Sequence, residues 1–394
     1  MRKNMKCNDL FYKVYKKKPE DVSFCPYRIC PLGAHIDHNL GKILGMAIDK
    51  GIYMAYAAKH NGVIELTSLN FKKRAQWHIN SVPETKQNDW ADYLRGATLV
   101  LSSKYNLTVG LSGVIEGEIP IGGLSSSAAV IICFLSALCK LNNIKLKPSE
   151  MIYLAKKAEN EYVKVACGKL DQSCEVLCKK DALLYLDTKD DKYKIIQTPK
   201  NMKKYKIMVV FSGVERNLAS SKYNMRQDEM RSAAYELKAL ANLPYGKYNE
   251  TNLREVPFKV FDKYKDTLPK PFYKRALHFY TEMDRVEKGA KAYKNGDIVT
   301  FGKLMNESGN SSIYNYESGS EELKKICEIL KDLKGVYGTR FSGAGFKGCC
   351  IALVNPSEIT NIKRKLTKEY LKSFPKYKKT FEIFICNSHD GVKL

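Results

Sequence analysis

Apolar residues recur at every second position in some stretches and at every third or fourth in others, and the changes of period mark out the elements. Residues 22–52 read as two strand-like runs around a polar turn holding Arg28, His35, Asp37, His38 and Asn39, more polar chemistry than a turn needs. Residues 52–79 alternate as a hairpin or meander, and 89–101 have the spacing of an amphipathic helix. A strand-like run through Leu107, Val109, Leu111, Val114 and Ile115 leads into Pro-Ile-Gly-Gly-Leu-Ser-Ser-Ser-Ala-Ala-Val at 120–130. Residues 127–141 then predict a helix too apolar to be exposed, and 147–165 a second helix opened by Pro-Ser-Glu. Residues 167–173 interrupt that pattern, and 182–187 predict a strand. The polar, lysine-rich stretch 187–204 marks a domain boundary, giving domains 1–195 and 196–394. Beyond it lie a strand at 206–212, helical patterns up to 334, and a second glycine-rich turn that feeds a strand within 339–354.

Composition narrows the class. The 394 residues are 44% hydrophobic and 27% charged, enough for a large core in two domains. No run of eighteen apolar residues occurs and the first residues lack a signal-peptide core, so a cytoplasmic protein with no membrane association is expected. Twelve cysteines include no Cys-x-x-Cys pair, and several sit in apolar patterns, which favours buried reduced thiols over disulfides or structural zinc. The net charge of +24 is spread along the chain and forms no aromatic-studded basic tract. It therefore suits an anionic small molecule better than nucleic acid.

Three stretches carry candidate chemistry. In 120–130, glycines followed by serines at a helix start form either a phosphate cradle, with N–H groups, helix dipole and hydroxyls converging on an anion, or a plain turn with serine N-caps. At the first turn, Asp37 and His35 read equally as site residues or as a turn aspartate and a core histidine. Trp90 fits a core position or the wall of an adenine pocket.

Taken in order, these stretches resemble the signature motifs of the galactokinase branch of the GHMP kinases, across nearly the whole chain. Residues 27–38 stand where that family has Gly-Arg-Val-Asn-Leu-Ile-Gly-Glu-His-Thr-Asp-Tyr, 123–128 match Gly-Leu-Ser-Ser-Ser-Ala, and 343–349 match Gly-Gly-Gly-Phe-Gly-Gly-Cys. Runs at 90–96, 168–172 and 218–223 resemble further family segments. The resemblance implies an α+β, two-domain GHMP kinase fold: an N-terminal domain with a left-handed β-α-β crossover, a ferredoxin-like C-terminal domain, and the active site between them. It implies ATP and Mg²⁺ as cofactors, a sugar or uronic acid as the other substrate, and a monomer or weak dimer. Asp171 takes the place of the catalytic aspartate and Arg28 that of its partner. Gly122, Gly123, Leu124, Ser125 and Ser126 would wrap the phosphates, with Trp90 near adenine and Ser127 and Glu159 as metal ligands. Ala34, His35, Asp37, Gly168 and Tyr223 would contact the sugar, while Gly343 and Gly345 would close the cleft where a side chain would collide with ligand.

One departure is informative. The family's glutamate that accepts from the sugar's 6-hydroxyl is Ala34 here. A glutamate about 4 Å from a substrate carboxylate would repel it by about 4 kcal/mol at an effective dielectric near 20, on the order of a thousandfold in rate. Its loss, and the spelling of the first and third motifs, resemble the galacturonokinases more than the galactokinases. Galacturonate 1-phosphorylation is therefore the expected activity, with galactose as the alternative substrate and a non-catalytic sugar and ATP sensor as an alternative of another class. Candidates for the carboxylate contact are His38, Arg216, Lys222 and Tyr223.

Overall fold

The computed structural model describes residues 6–120, 122–214, 221–346 and 348–394, with backbone alone for 221–223. Arg216 therefore lies outside the described residues, as do the side chains of Lys222 and Tyr223. Seven strands come from the first half: β1 (Asp21–Leu32), β2 (Lys42–Lys59), β3 (Val63–Ser68), β4 (Ala75–His78), β5 (Gly110–Gly117), β6 (Ala182–Asp187) and β7 (Tyr193–Gln197). They pair in the order β4-β3-β5-β2-β6-β7, with β1 on β2; β3 and β5 run parallel and the other neighbours antiparallel. A second sheet has the order β11-β8-β10-β9, from β8 (Lys206–Phe211), β9 (Val336–Phe341), β10 (Cys349–Val354) and β11 (Glu382–Cys386), all antiparallel. With helices between β8 and β9 and again between β10 and β11, this is the ferredoxin-like arrangement. The tail then returns to the first sheet, where β12 (Ser388–His389) pairs with β2.

The helices are α1 (Lys6–Tyr15), α2 (Asp92–Ser102), α3 (Ser126–Leu141), α4 (Pro148–Lys157), α5 (Leu170–Leu177), α6 (Ser221–Leu240), α7 (Phe258–Tyr264), α8 (Lys270–Lys294), α9 (Ile298–Tyr314), α10 (Glu321–Lys331) and α11 (Ile359–Ser373). Helix α3 is buried along most of its length because consecutive apolar residues, Ile131, Ile132, Cys133, Phe134 and Leu135, cover its whole circumference. It packs on β1 and β2; α8 also contacts both strands, and α9 contacts β1. One continuous apolar core joins both sheets, from Ile29 and Leu44 through Val286 and Phe301 to Val209 and Ile351. All twelve cysteines are free, and all but Cys167 and Cys327 are buried. Among the described residues no helix is long and apolar enough to cross a membrane.

Three local expectations are corrected. The predicted helix 147–165 ends its α-helical part at Lys157 and continues as a π-helical turn, Ala158–Val163. The supposed interruption at 167–173 contains the start of α5, so Asp171 sits in a helix's first turn. Arg28 lies inside β1 and not in the turn that follows it.

Candidate active site

Strand β1 is buried continuously from Cys25 to Leu32, so Arg28 enters the protein interior with 5% of its side chain exposed. A buried guanidinium requires partners. Its Nε donates to Asp171 Oδ1 at 2.7 Å, and Nη1 donates to the Gly123 carbonyl at 2.9 Å and to Ser342 Oγ at 3.4 Å. Burial alone would weaken the guanidinium's hold on its proton, but the Asp171 carboxylate outweighs burial and raises its pKa. One side chain thus ties together the aspartate helix, the glycine loop and the end of β9. The Asp171 side chain keeps 27% of its surface open. Pinned on one side by Arg28, it faces outward on the other.

The glycine loop meets its counterpart from the second sheet backbone to backbone. A Cβ on Gly122 would lie 2.7 Å from Gly348 Cα, and one on Gly343, at φ +70°, would lie 2.8 Å from Gly123 Cα. A Cβ on Gly345 would strike the Phe341 ring at 2.3 Å. Contacts within the protein therefore exclude a side chain at Gly343 and at Gly345. Ser125 occupies the cap position of α3, but in a left-handed conformation (φ 64°, ψ 40°) that makes no cap bond. Its buried hydroxyl faces the Glu175 carboxyl, whose pKa it lowers. Leu124 is buried, with its carbonyl 3.4 Å from the Arg28 N–H. Ser126 and Ser127 open the helix, where free N–H groups and the helix dipole favour an anion.

Glu159 sits in the π-helical turn with 3% exposure and accepts from Gln172 Nε2 at 2.5 Å. Burial first, and then the charge of Asp171, push its pKa up to about 7, while the Ser127 and Cys167 side chains and Gln172 pull it down. The buried Glu175, one helical turn beyond Asp171, is pushed well above the carboxylate range by burial and then by Asp171. The Arg28 charge and the Ser125 hydroxyl pull it down by less. Sequence reasoning missed Glu175, although its i+4 spacing from Asp171 would have exposed it once α5 was recognised. Glu159, Asp171 and the Ser127 hydroxyl form a set of hard oxygen donors with an excess of negative charge. Such a set fits Mg²⁺, which takes one or two carboxylates and completes its shell with phosphate oxygens and water.

On the other side of Asp171, the first turn is held in an unusual shape. His35 has φ +67° and stacks on Tyr316 with centroids 4.3 Å apart and planes 7° from parallel. Its Nε2 is 2.9 Å from the Gly343 carbonyl, which can only accept, so the proton lies on Nε2. Burial, followed by the charge of Arg340 and then of His278, lowers the pKa of His35 well below the usual value and keeps it neutral. Nδ1 is then an acceptor, without a partner among the described residues. Asp37 Oδ2 accepts from the Leu170 N–H at 3.1 Å. Burial would raise its pKa, but His38 and that N–H prevail and lower it. Gly168 has no room for a side chain, since its Cβ would fall 2.0 Å from Asp37 Oδ2. Asp37, His38 and Gly168 line a cavity of about 220 Å³ that Gln227 and Arg231 also border. Trp90 stands apart from this cluster: its Nε1 donates to the Lys73 carbonyl at 2.8 Å and its ring stacks parallel to Phe71.

Comparison with known proteins places this geometry. Residues 92–179 match the family described as GHMP kinases N terminal domain, residues 290–372 GHMP kinases C terminal, and residues 9–58 the galactokinase galactose-binding signature. The galacturonokinase of Arabidopsis thaliana is 35% identical over 95% of this chain and 93% of its own length. The chain belongs to the galactokinase branch of the GHMP kinases. The galactokinase of Clostridium acetobutylicum is 31% identical, covering 98% of this kinase and 97% of the relative. The crystal structure of Lactococcus lactis galactokinase complexed with galactose superposes on this kinase with a TM-score of 0.88 at 27% identity, covering 98% of both chains. The GHMP kinase is thus a sugar kinase of the galactokinase and galacturonokinase type, and kinases of this family use ATP.

Proposed function

We propose that this kinase transfers the γ-phosphoryl group of ATP to the anomeric hydroxyl of D-galacturonate, giving galacturonate 1-phosphate. The reading is carried by Ala34, which takes the place of an acid at the far end of the sugar. A carboxylate on the substrate would meet no fixed acid at this position. The relationship to the Arabidopsis galacturonokinase supports the same reading.

The geometry supports the following roles. Asp171, oriented by Arg28, accepts the proton of the anomeric hydroxyl through its open side, and Arg28 stabilises the developing oxyanion. The Ser125 hydroxyl and the N–H groups at the start of α3 hold the phosphates in line, where positioning and charge neutralisation do most of the work. Ser127 and Glu159 would hold Mg²⁺, which supplies neutralisation of the β- and γ-phosphate oxygens when bound. His35 Nδ1 and Asp37 accept from sugar hydroxyls, Gly168 leaves Asp37 room to do so, and Trp90 with Phe71 offers a flat apolar wall for adenine.

The deciding experiment is kcat/KM of the purified enzyme with galacturonate, galactose and glucuronate at saturating ATP and Mg²⁺. Galacturonate is expected to lead galactose by at least tenfold. A preference for galactose overturns the uronate assignment and leaves a galactokinase.

A further inference from the structure

We infer that His278 and Glu282, one turn apart on α8, are positioning residues for the sugar-reading turn, which they grip from behind by its backbone. No sequence motif pointed to them. Glu282 Oε1 accepts the Gly33 N–H at 2.7 Å, and His278 Nε2 lies 3.1 Å from the Ala34 carbonyl. Two residues of the second half of the chain thereby hold two consecutive residues of the turn. Both side chains are fully buried.

The grip is defined down to its protons. A carbonyl only accepts, so His278 Nε2 carries hydrogen and Nδ1 is the acceptor for Ser311 Oγ, 2.9 Å away. Burial lowers the pKa of His278 to about 4, which preserves this neutral tautomer. Glu282 is charged: burial alone would raise its pKa, but Arg285, His278 and Arg340 bring it to about 2. Its Oε2 accepts from Arg285 Nε at 2.7 Å, and Oε1 also accepts the Ser308 hydroxyl at 2.6 Å. Ser308 in turn accepts from Arg340 Nη1 at 2.5 Å, and Arg340 donates through Nη2 to Ser312 at 3.1 Å. Arg340 lies on β9, the strand that runs into Ser342 and the Gly343 turn. The turn before Asp37 and the turn that receives His35 are therefore fixed to one hub.

The turn needs such a frame. His35 is a non-glycine residue in the left-handed region, a strained conformation that persists only where surroundings impose it. Tyr316 and the Gly343 carbonyl hold its ring, but its backbone follows from Gly33 and Ala34, which α8 holds. If the grip loosens, the ring and the space above Ala34 shift most, because α8 bonds this turn directly, whereas neither His278 nor Glu282 bonds the phosphate loop or Asp171. Loss of the grip is thus a sugar-side defect.

The inference rests on the reading of this turn as the sugar site, and the test is arranged to separate the two. The probe sugar is whichever member of the substrate panel gives the wild-type enzyme its highest kcat/KM, so a wrong choice of galacturonate leaves the test intact. His278→Phe removes both hydrogen bonds and keeps a ring. It is expected to raise KM for the sugar at least tenfold with KM for ATP within twofold of wild type. His278→Gln, whose amide can donate to the Ala34 carbonyl, is expected to recover most of the loss. Should His278→Phe fail to fold, Ser311→Ala, which removes only the hydroxyl facing Nδ1, is expected to give a smaller shift of about threefold, again confined to the sugar. An unchanged sugar KM, or equal shifts for sugar and ATP without rescue by Gln, overturns the proposal, because a purely structural role moves both substrates together.

Discussion

Three single residues carry the sharpest tests. Ala34→Glu is expected to lower kcat/KM for galacturonate by up to about a thousandfold, from a repulsion of about 4 kcal/mol, while galactose turnover changes by less than tenfold; paired steady-state kinetics decide it. Asp171→Asn removes the base and strands the buried Arg28 charge. Turnover should fall by at least about a thousandfold and stability by about 3 kcal/mol, with ATP binding, read by calorimetry, nearly unchanged. Glu159 gives a prediction of opposite sign. Its folded pKa of about 7 exceeds the value near 4.3 of an unfolded chain, so the folded state binds the extra proton. Stability is therefore complete below about pH 4 and declines as pH rises from there through 7, by at most about 4 kcal/mol. Glu159→Gln should abolish turnover yet raise the melting temperature of the ligand-free enzyme at pH 8, with a smaller gain at pH 5. A destabilised variant at pH 8 would refute the assignment of Glu159 as a strained acid.

Among the elements, the two glycine turns form a contact that one methyl group would part. Gly343→Ala places a Cβ 2.8 Å from Gly123 Cα at a φ that alanine disfavours. Separating the turns should raise KM for ATP at least tenfold and lower thermal stability by about 2 kcal/mol, whereas an alanine variant with wild-type ATP kinetics would show that the contact is dispensable. Which elements could be read from sequence follows from how they are buried. The helix α3 and the strands β6 and β8 are strongly apolar, and their periods stand out. Helix α5 did not, because Gln172, Ser173 and Glu175 are buried polar residues that mimic a loop. The π-helical turn spans six residues, too few for its period to differ visibly from that of α4. Arg28 and Asp171 are separated by 143 positions, so only resemblance to a family could pair them. Arg340, Glu282 and His278 stayed hidden for a related reason. A charge on a helix reads as solvated unless its partners are known, and those partners come from β1, α8, α9 and β9 together.

At the scale of the whole molecule, the 66 lysines and arginines against 42 acids set a positive potential that adds to the local design. Lys156 and Lys169 border the cavity beside Asp37 and also a groove of about 680 Å³ lined by Lys147 and Lys157. The approach to the sugar side is therefore basic even though the site itself holds the carboxyl groups of Asp37, Glu159, Asp171 and Glu175. Lys169 is paired with Asp191, but no carboxylate lies within ion-pair distance of Lys147 or Lys156 among the described residues. A uronate should be drawn in by this field and a neutral hexose should not. Screening is short-ranged at physiological ionic strength, with a Debye length of about 8 Å, and long-ranged at 0.01 M, about 30 Å. With MgATP held saturating, raising KCl from low to physiological levels should reduce kcat/KM for galacturonate by roughly three- to tenfold through the encounter step, with galactose altered by less than twofold. If the two sugars respond in parallel, the field acts on the nucleotide alone, and discrimination between acid and neutral sugar is confined to the few ångströms around Ala34.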